Sequence, residues 1–157
     1  MTQTLAALLT ACALALPLAA QAQAKIDFTD IPALRAAAKT DKKALVAATL
    51  QLTEAEAKAF WPIYDNYQRS RDAADRQRVR AIESVIATDK PISDAYARDL
   101  AKDLTEADEA EIRARRTMQN KLMRALPPKK AFQYLQLENK LRAIQAYDLA
   151  AAMPLLK

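Results

Sequence analysis

Residues 69–111, RSRDAADRQRVRAIESVIATDKPISDAYARDLAKDLTEADEAE, decide the fold. At their centre Thr88-Asp89-Lys90-Pro91 reads as a turn, because proline cannot continue a helix and aspartate favours bends. Before the turn stand Arg69, Arg71, Arg76, Arg78 and Arg80 against Asp72 and Asp75. After it, from Asp99 onward, stand Asp103, Glu106, Asp108, Glu109 and Glu111 against Lys102. Two helices joined by so short a turn run antiparallel. Folding at about residue 90 sets Arg80 beside Asp99 or Asp103, and Arg71 near Glu109. Each exposed pair contributes only about 0–1 kcal/mol, so the blocks specify register more than they stabilise it. Two separate solvated faces are the alternative.

The flanking sequence supplies the boundaries. Asp30 caps a first helix over residues 31–50, with Pro32 in its opening turn and a second cap at Thr40-Asp41 that would break it. Thr53 and Glu56 form a capping box that opens a helix to about Ala87, kinked or broken early by Pro62. Ser93 caps the next helix, to about Ala125, and Pro127-Pro128 stops it. A last helix then runs to about Ala152 and is closed by Pro154. The fold class is all-α: a long antiparallel hairpin with shorter first and last helices.

Apolar residues gather at the end away from the turn. Phe60, Trp61, Ile63, Tyr64 and Tyr67 face Met118, Leu122, Met123 and Leu126, with Phe132, Tyr134, Leu135, Leu137, Leu141 and Ile144 on the last helix. Val79, Ile82, Val85, Ile86, Ile92 and Leu100 form a smaller group at the turn. The middle has little beyond alanine and Leu104. Flanking helices or a second subunit must cover it, and a homodimer is the natural solution.

Absences narrow the chemistry. The chain has no glycine and no histidine, and its single cysteine is Cys12. Imidazole catalysis, His-ligated metals, P-loops and dinucleotide fingerprints are therefore excluded, and tight β-turns are disfavoured. No cofactor is expected. Met118, Met123 and Met153 suit packing better than copper. An enzyme would have to use pairs such as Glu106 with Asp103, or Glu109 with Asp108, which lie in the charge array without a sign of a pocket.

Residues 1–24 contain no charged side chain and finish at Ala22-Gln23-Ala24, an A-x-A cleavage site after an apolar stretch from Leu5 to Ala20. They read as a secretory leader that sends a single domain, residues 25–157, to the periplasm. Two features are irregular: no basic residue precedes the apolar stretch, and Leu9-Thr10-Ala11-Cys12 matches a lipobox, so lipid anchoring at Cys12 is the minor alternative.

Leu50-Gln51-Leu52-Thr53-Glu54-Ala55-Glu56 resembles the LTxxQ motif of the periplasmic Spy/CpxP family in the form L-x-L-T-x-x-E, with Leu52, Thr53 and Glu56 as its key positions. A second motif copy would fall at Leu126-Pro127-Pro128-Lys129-Lys130, where proline replaces Thr and Lys130 replaces Gln. Segments 59–68 and 126–156 are also similar to exported proteobacterial helical proteins of no known activity. The resemblance implies a small helical hairpin that dimerises into a cradle. It further implies either an ATP-independent chaperone for unfolded envelope proteins or a stress-signalling or scaffold protein with one specific partner. Metal-binding relatives use histidine, which is missing here.

The formal net charge of +5 supports attraction of acidic clients. Candidate protein-binding residues are Trp61 and Tyr67 for apolar contact and Arg69, Arg71, Arg76 and Arg78 for charge, although aromatics at this spacing also suit a core. Nucleic acid is disfavoured by export and by the acidic helix beside the arginines. Lys129, Lys130, Lys140 and Arg142 with Phe132, Leu137, Leu141 and Ile144 would suit a membrane-surface helix, but packing on the hairpin explains that spacing better.

Overall fold

Among the described residues, 27–87 and 91–153 of a computed structural model, there are four helices and no strand. The protein is all-α. The helices are α1 (Ile31–Leu50), α2 (Glu54–Ile86), α3 (Asp94–Ala125) and α4 (Pro128–Ala152). The leader expected at residues 1–24 with Cys12, residues 88–90 of the turn expected at 88–91, and Pro154 lie outside the described residues.

Local chemistry accounts for each boundary. Asp30 accepts from the Ala33 amide at 2.9 Å and opens α1. Asp41 then leaves helical geometry (φ −158°, ψ 95°), and its carboxylate accepts from the Ala44 amide at 2.9 Å. α1 is thus two capped segments joined at a kink, as Thr40-Asp41 indicated. It ends at Gln51, which takes the left-handed conformation (φ 44°, ψ 55°) that glycine would adopt without strain. Both capping-box bonds form at the start of α2: Thr53 N–H donates to Glu56 at 2.8 Å, and Glu56 N–H donates to the Thr53 hydroxyl at 3.3 Å. Ser93 caps α3, and Pro128 occupies the first turn of α4.

Of the kink or break expected at Pro62, the break does not occur: α2 runs 33 residues with Pro62 exposed inside it. Proline forfeits one backbone hydrogen bond, to the carbonyl four residues back at Lys58. Lys58 and Pro62 both lie on the solvent side, where water can satisfy that carbonyl.

α2 and α3 pack side by side and antiparallel. Ile63 and Lys121 border one groove at one end, while Arg80 and Asp99 border another near the turn. α4 lies along the pair and α1 packs on α4. The core follows a heptad-like stripe. On α2 its buried positions are Phe60, Tyr64, Tyr67, Arg71, Ala74 and Ala81, and on α3 Leu100, Ala107, Glu111, Met118 and Leu122. Leu34, Val46 and Leu50 of α1 and Ala131, Tyr134, Leu137 and Leu141 of α4 complete it. Phe60 sits at its centre, edge-on to Tyr134 at 5.1 Å. Two residues assigned to this apolar end point outward instead: Met123 is 48% and Phe132 57% exposed. At the turn end Ile82 and Leu100 are buried, while Val79 and Ile86 are exposed.

Candidate protein-binding surface

The candidate residues separate into a buried group and an exposed one. The thin middle of the hairpin is filled by charge. Arg71 is 5% exposed and turns toward α4, where its guanidinium donates to Glu138 at 3.2 Å. Glu138 is itself 2% exposed and is also reached by Lys42 Nζ of α1 at 3.0 Å. Burial pulls the Lys42 pKa below its usual value, with Glu138 working against that shift. Arg78 pairs with Asp75 at 2.9 Å and with Asp108 and Glu111 at 2.7 Å each. Arg142 of α4 closes on Glu111 from the other side. Burial alone would raise the Glu111 pKa, but Arg142 and Arg78 outweigh it and hold the carboxyl below its ordinary range. Asp75 joins the two clusters, reaching Arg71 at 3.8 Å and accepting from Gln145 at 2.7 Å.

Lys42, Arg71, Arg78 and Arg142 therefore face Asp75, Asp108, Glu111 and Glu138: four cations balanced by four carboxylates, drawn from all four helices. α4 supplies the cover that the sequence leaves to a flanking helix or a second subunit. The expected register is corrected for Arg71, whose partner is Glu138 rather than Glu109, since its side chain lies on the α4 side of α2. Glu109 pairs within its own helix with Arg113 at 3.1 Å. Arg80 borders the same surface depression as Asp99 and Asp103.

Arg71 and Arg78 thus hold the fold together and are not presented to a partner. Tyr67 is also inside, 2% exposed, with a hydroxyl that finds no hydrogen-bond partner and a pKa raised chiefly by burial. Trp61 is half-buried, stacked edge-on against Phe60 at 4.9 Å and Tyr64 at 5.4 Å, with Lys43 Nζ 4.9 Å from its ring centroid. Arg69 and Arg76 are exposed and form no ion pair among the described residues. The structure does not gather the six candidates into one surface.

The motif positions do come together. Leu52 packs against the core, Thr53 and Glu56 make the capping box, and Lys130 Nζ donates to Glu56 at 2.6 Å and to the Gln51 carbonyl at 3.1 Å. The hydrogen bond from Lys130 lowers the Glu56 pKa. Glu56 and Lys130 are the two positions where glutamine is expected, and they form an ion pair.

Residues 129–152 pack on the hairpin, the reading preferred over a membrane-surface helix. Leu137, Leu141 and Ile144 are buried, while Lys130 and Arg142 are paired internally. Among the described residues no helix is long and apolar enough to cross a membrane, and no group of three or more His, Cys, Asp or Glu is placed to hold a metal ion.

The side of the hairpin away from α4 is open. A groove of about 420 Å³ runs there between α2 and α3. Ile63, Asn66, Ser70 and Ala73 form one wall, and Ala110, Ala114 and Thr117 the other, with Met118 and Tyr67 at its floor and Arg113 and Lys121 on its α3 side. The α3 residues recur at three- and four-residue intervals over eleven positions, or roughly 16 Å of helix. The small residues on this face carry no reactive or charged groups. Their signal was spacing, with Ala110, Ala114 and Thr117 all on one side of α3. No protein-family model, no curated protein and no solved structure matches this chain.

Proposed function

We propose that the protein is exported to the periplasm and there binds other proteins without catalysis or cofactor, holding extended segments of unfolded envelope proteins in the manner of a Spy-like chaperone. The observation that carries this reading is the open groove on the uncovered face of α2 and α3. It combines walls of mostly small residues, over a floor of Met118 and Tyr67, with Arg113 and Lys121. An extended chain fits such a surface with little shape demand, and the cations favour acidic clients before apolar contact is made. The antiparallel pair of long helices and the capping box support a Spy/CpxP-like arrangement.

The test is an aggregation assay with a chemically unfolded client and the purified protein in several-fold excess. Slowed aggregation is the expected result, and Ala73→Glu with Ala114→Glu, which place two acids and added bulk in the groove, should abolish it while circular dichroism stays unchanged. If the unaltered protein leaves aggregation unaffected, or if the groove variant protects equally well, the reading is wrong. Capture of a single stoichiometric envelope partner would favour a signalling or scaffold role.

A further inference from the structure

Between Glu111 and Glu138 the chain has no acidic residue, yet it carries seven basic ones. Two of the seven are engaged, Arg113 with Glu109 and Lys130 with Glu56. Arg116, Lys121, Arg124 and Lys129 are exposed and form no ion pair among the described residues. Arg124 and Lys129 flank the corner at Leu126-Pro127 where α3 passes into α4, Arg116 lies roughly 15 Å before it along α3, and Lys121 lies between them on the rim of the groove. Beside them stand two large apolar side chains that the core does not use, Met123 at 48% and Phe132 at 57% exposure. Ile112, Arg116, Gln119 and Met123 follow one another on a single exposed stripe of α3, and Ile112 is 55% exposed. On α4, Lys129, Phe132, Gln133 and Gln136 make a similar exposed stripe.

We infer that this corner docks on an anionic lipid surface, with Phe132 and Met123 entering the headgroup region and Arg116, Arg124 and Lys129 resting on lipid phosphates. The apolar pair stands at a turn between helices, and neither side chain lines the groove between α2 and α3. A protruding apolar side chain among unpaired cations can enter a fluid interface, where a protein partner would have to supply a matching pocket. At the adjoining start of α2 Glu56 is neutralised by Lys130, and Glu54 is the exposed acid there. This surface is separate from the groove proposed to hold clients. It shares Phe132 and Lys129 with the membrane-surface helix considered above, but not that helix's Leu137, Leu141 and Ile144, which are buried.

The test is vesicle co-sedimentation of the full chain with phosphatidylglycerol-rich vesicles and with pure phosphatidylcholine vesicles. The apolar stretch 5–20 favours either vesicle alike, so the readout is the ratio of the two partition coefficients. Each surface cation is worth roughly a five-fold factor on an anionic membrane, so Arg116→Gln, Arg124→Gln and Lys129→Gln together should lower the ratio about a hundredfold. About 0.5 M salt should lower it similarly. Phe132→Ala with Met123→Ala should weaken binding several-fold without changing its salt dependence. The swap to Arg116→Lys, Arg124→Lys and Lys129→Arg should preserve it. Equal binding to both vesicles overturns the inference. So does an equal loss on neutralising Arg69, Arg76 and Arg80, which would mean diffuse charge. Capture on immobilised polyglutamate without any preference for anionic vesicles would assign the corner to acidic proteins instead.

Discussion

Removing the carboxylate of Glu138 tests the buried charge network most directly. The side chain is 2% exposed and answers two cations, Arg71 at 3.2 Å and Lys42 at 3.0 Å. Glu138→Leu leaves Arg71 buried with only Asp75, at 3.8 Å, as a carboxylate partner. Breaking one side of a buried pair costs about 3–5 kcal/mol. Retention of Asp75, and the freedom of the 21%-exposed Lys42 side chain to swing toward water, place the cost near the lower figure of about 3 kcal/mol. For a domain of this size that lowers Tm by roughly 10–15 °C. Arg71→Met should cost a similar amount or somewhat less, because it leaves the buried Glu138 with Lys42 as its remaining cation. The double variant Arg71→Met with Glu138→Leu should lose less than the two singles combined, since both charges leave the core together. Urea unfolding followed by Trp61 fluorescence measures all four corners of the cycle. Raising the salt to about 1 M should change the coupling little, because the pair is shielded from ions. A cost below about 1 kcal/mol for Glu138→Leu, or strict additivity in the double variant, would refute the network as the bond between α2 and α4.

Gln51 holds a left-handed backbone at φ 44°, so Gln51→Gly should raise stability by about 1 kcal/mol in a thermal melt. Tyr67→Phe removes a buried hydroxyl that has no partner and should leave stability unchanged or improve it by up to about 2 kcal/mol. Thr53→Ala deletes a formed cap and should cost about 1 kcal/mol. In alkali, burial raises Tyr64 to about 12 and lifts Tyr67 and Tyr134 too. These groups bind protons more tightly folded than unfolded, so their stabilisation is complete below pH 10 and is lost as pH rises toward about 12. Spectrophotometric titration should show their phenolate band emerging only with unfolding. At the acid end Glu111 has a lowered pKa, so its contribution is present above its ordinary value of 4.5 and is lost as pH falls through the lower folded value.

The helices were legible because their ends carry explicit chemistry: Asp30, Thr53 with Glu56, Ser93 and Pro127-Pro128 each act locally. Asp41 shows how far such a signal reaches, since one carboxylate announced a kink that the backbone makes. Pro62 shows the opposite case. Its local penalty is small beside the packing of Phe60 and Tyr64 on either side, and tertiary contact decides. The charged residues were misread for a different reason. Arg71, Arg78 and Glu111 fall on the same three- and four-residue stripe as Phe60, Tyr64, Ala107 and Met118, and that placement marked them as interior. Their charge alone suggests a surface array, because charge is ordinarily solvated. The partner of Arg71 was beyond reach, because only the docking of α4 brings Glu138 to it. The open groove was hidden for the reverse reason, being built from alanine, serine and threonine that carry no distinctive pattern.

The packing of α1 on α4 sets an order of assembly. Arg35 bonds Asp148 across 113 positions of chain, whereas only residues 87–93 separate α2 from α3. The hairpin can close as soon as its own residues are available, because its contacts are close in sequence. Leu34, Val46 and Leu50 must wait for the end of the chain before they are covered. Threaded through a pore from its amino terminus, the polypeptide keeps its first helix unsatisfied until its last has emerged. A ribosome-stalled or truncated product lacking α4 should remain protease-sensitive throughout α1, while the hairpin alone gives little protection. The final helix made is thus the one that lets the first become part of the fold.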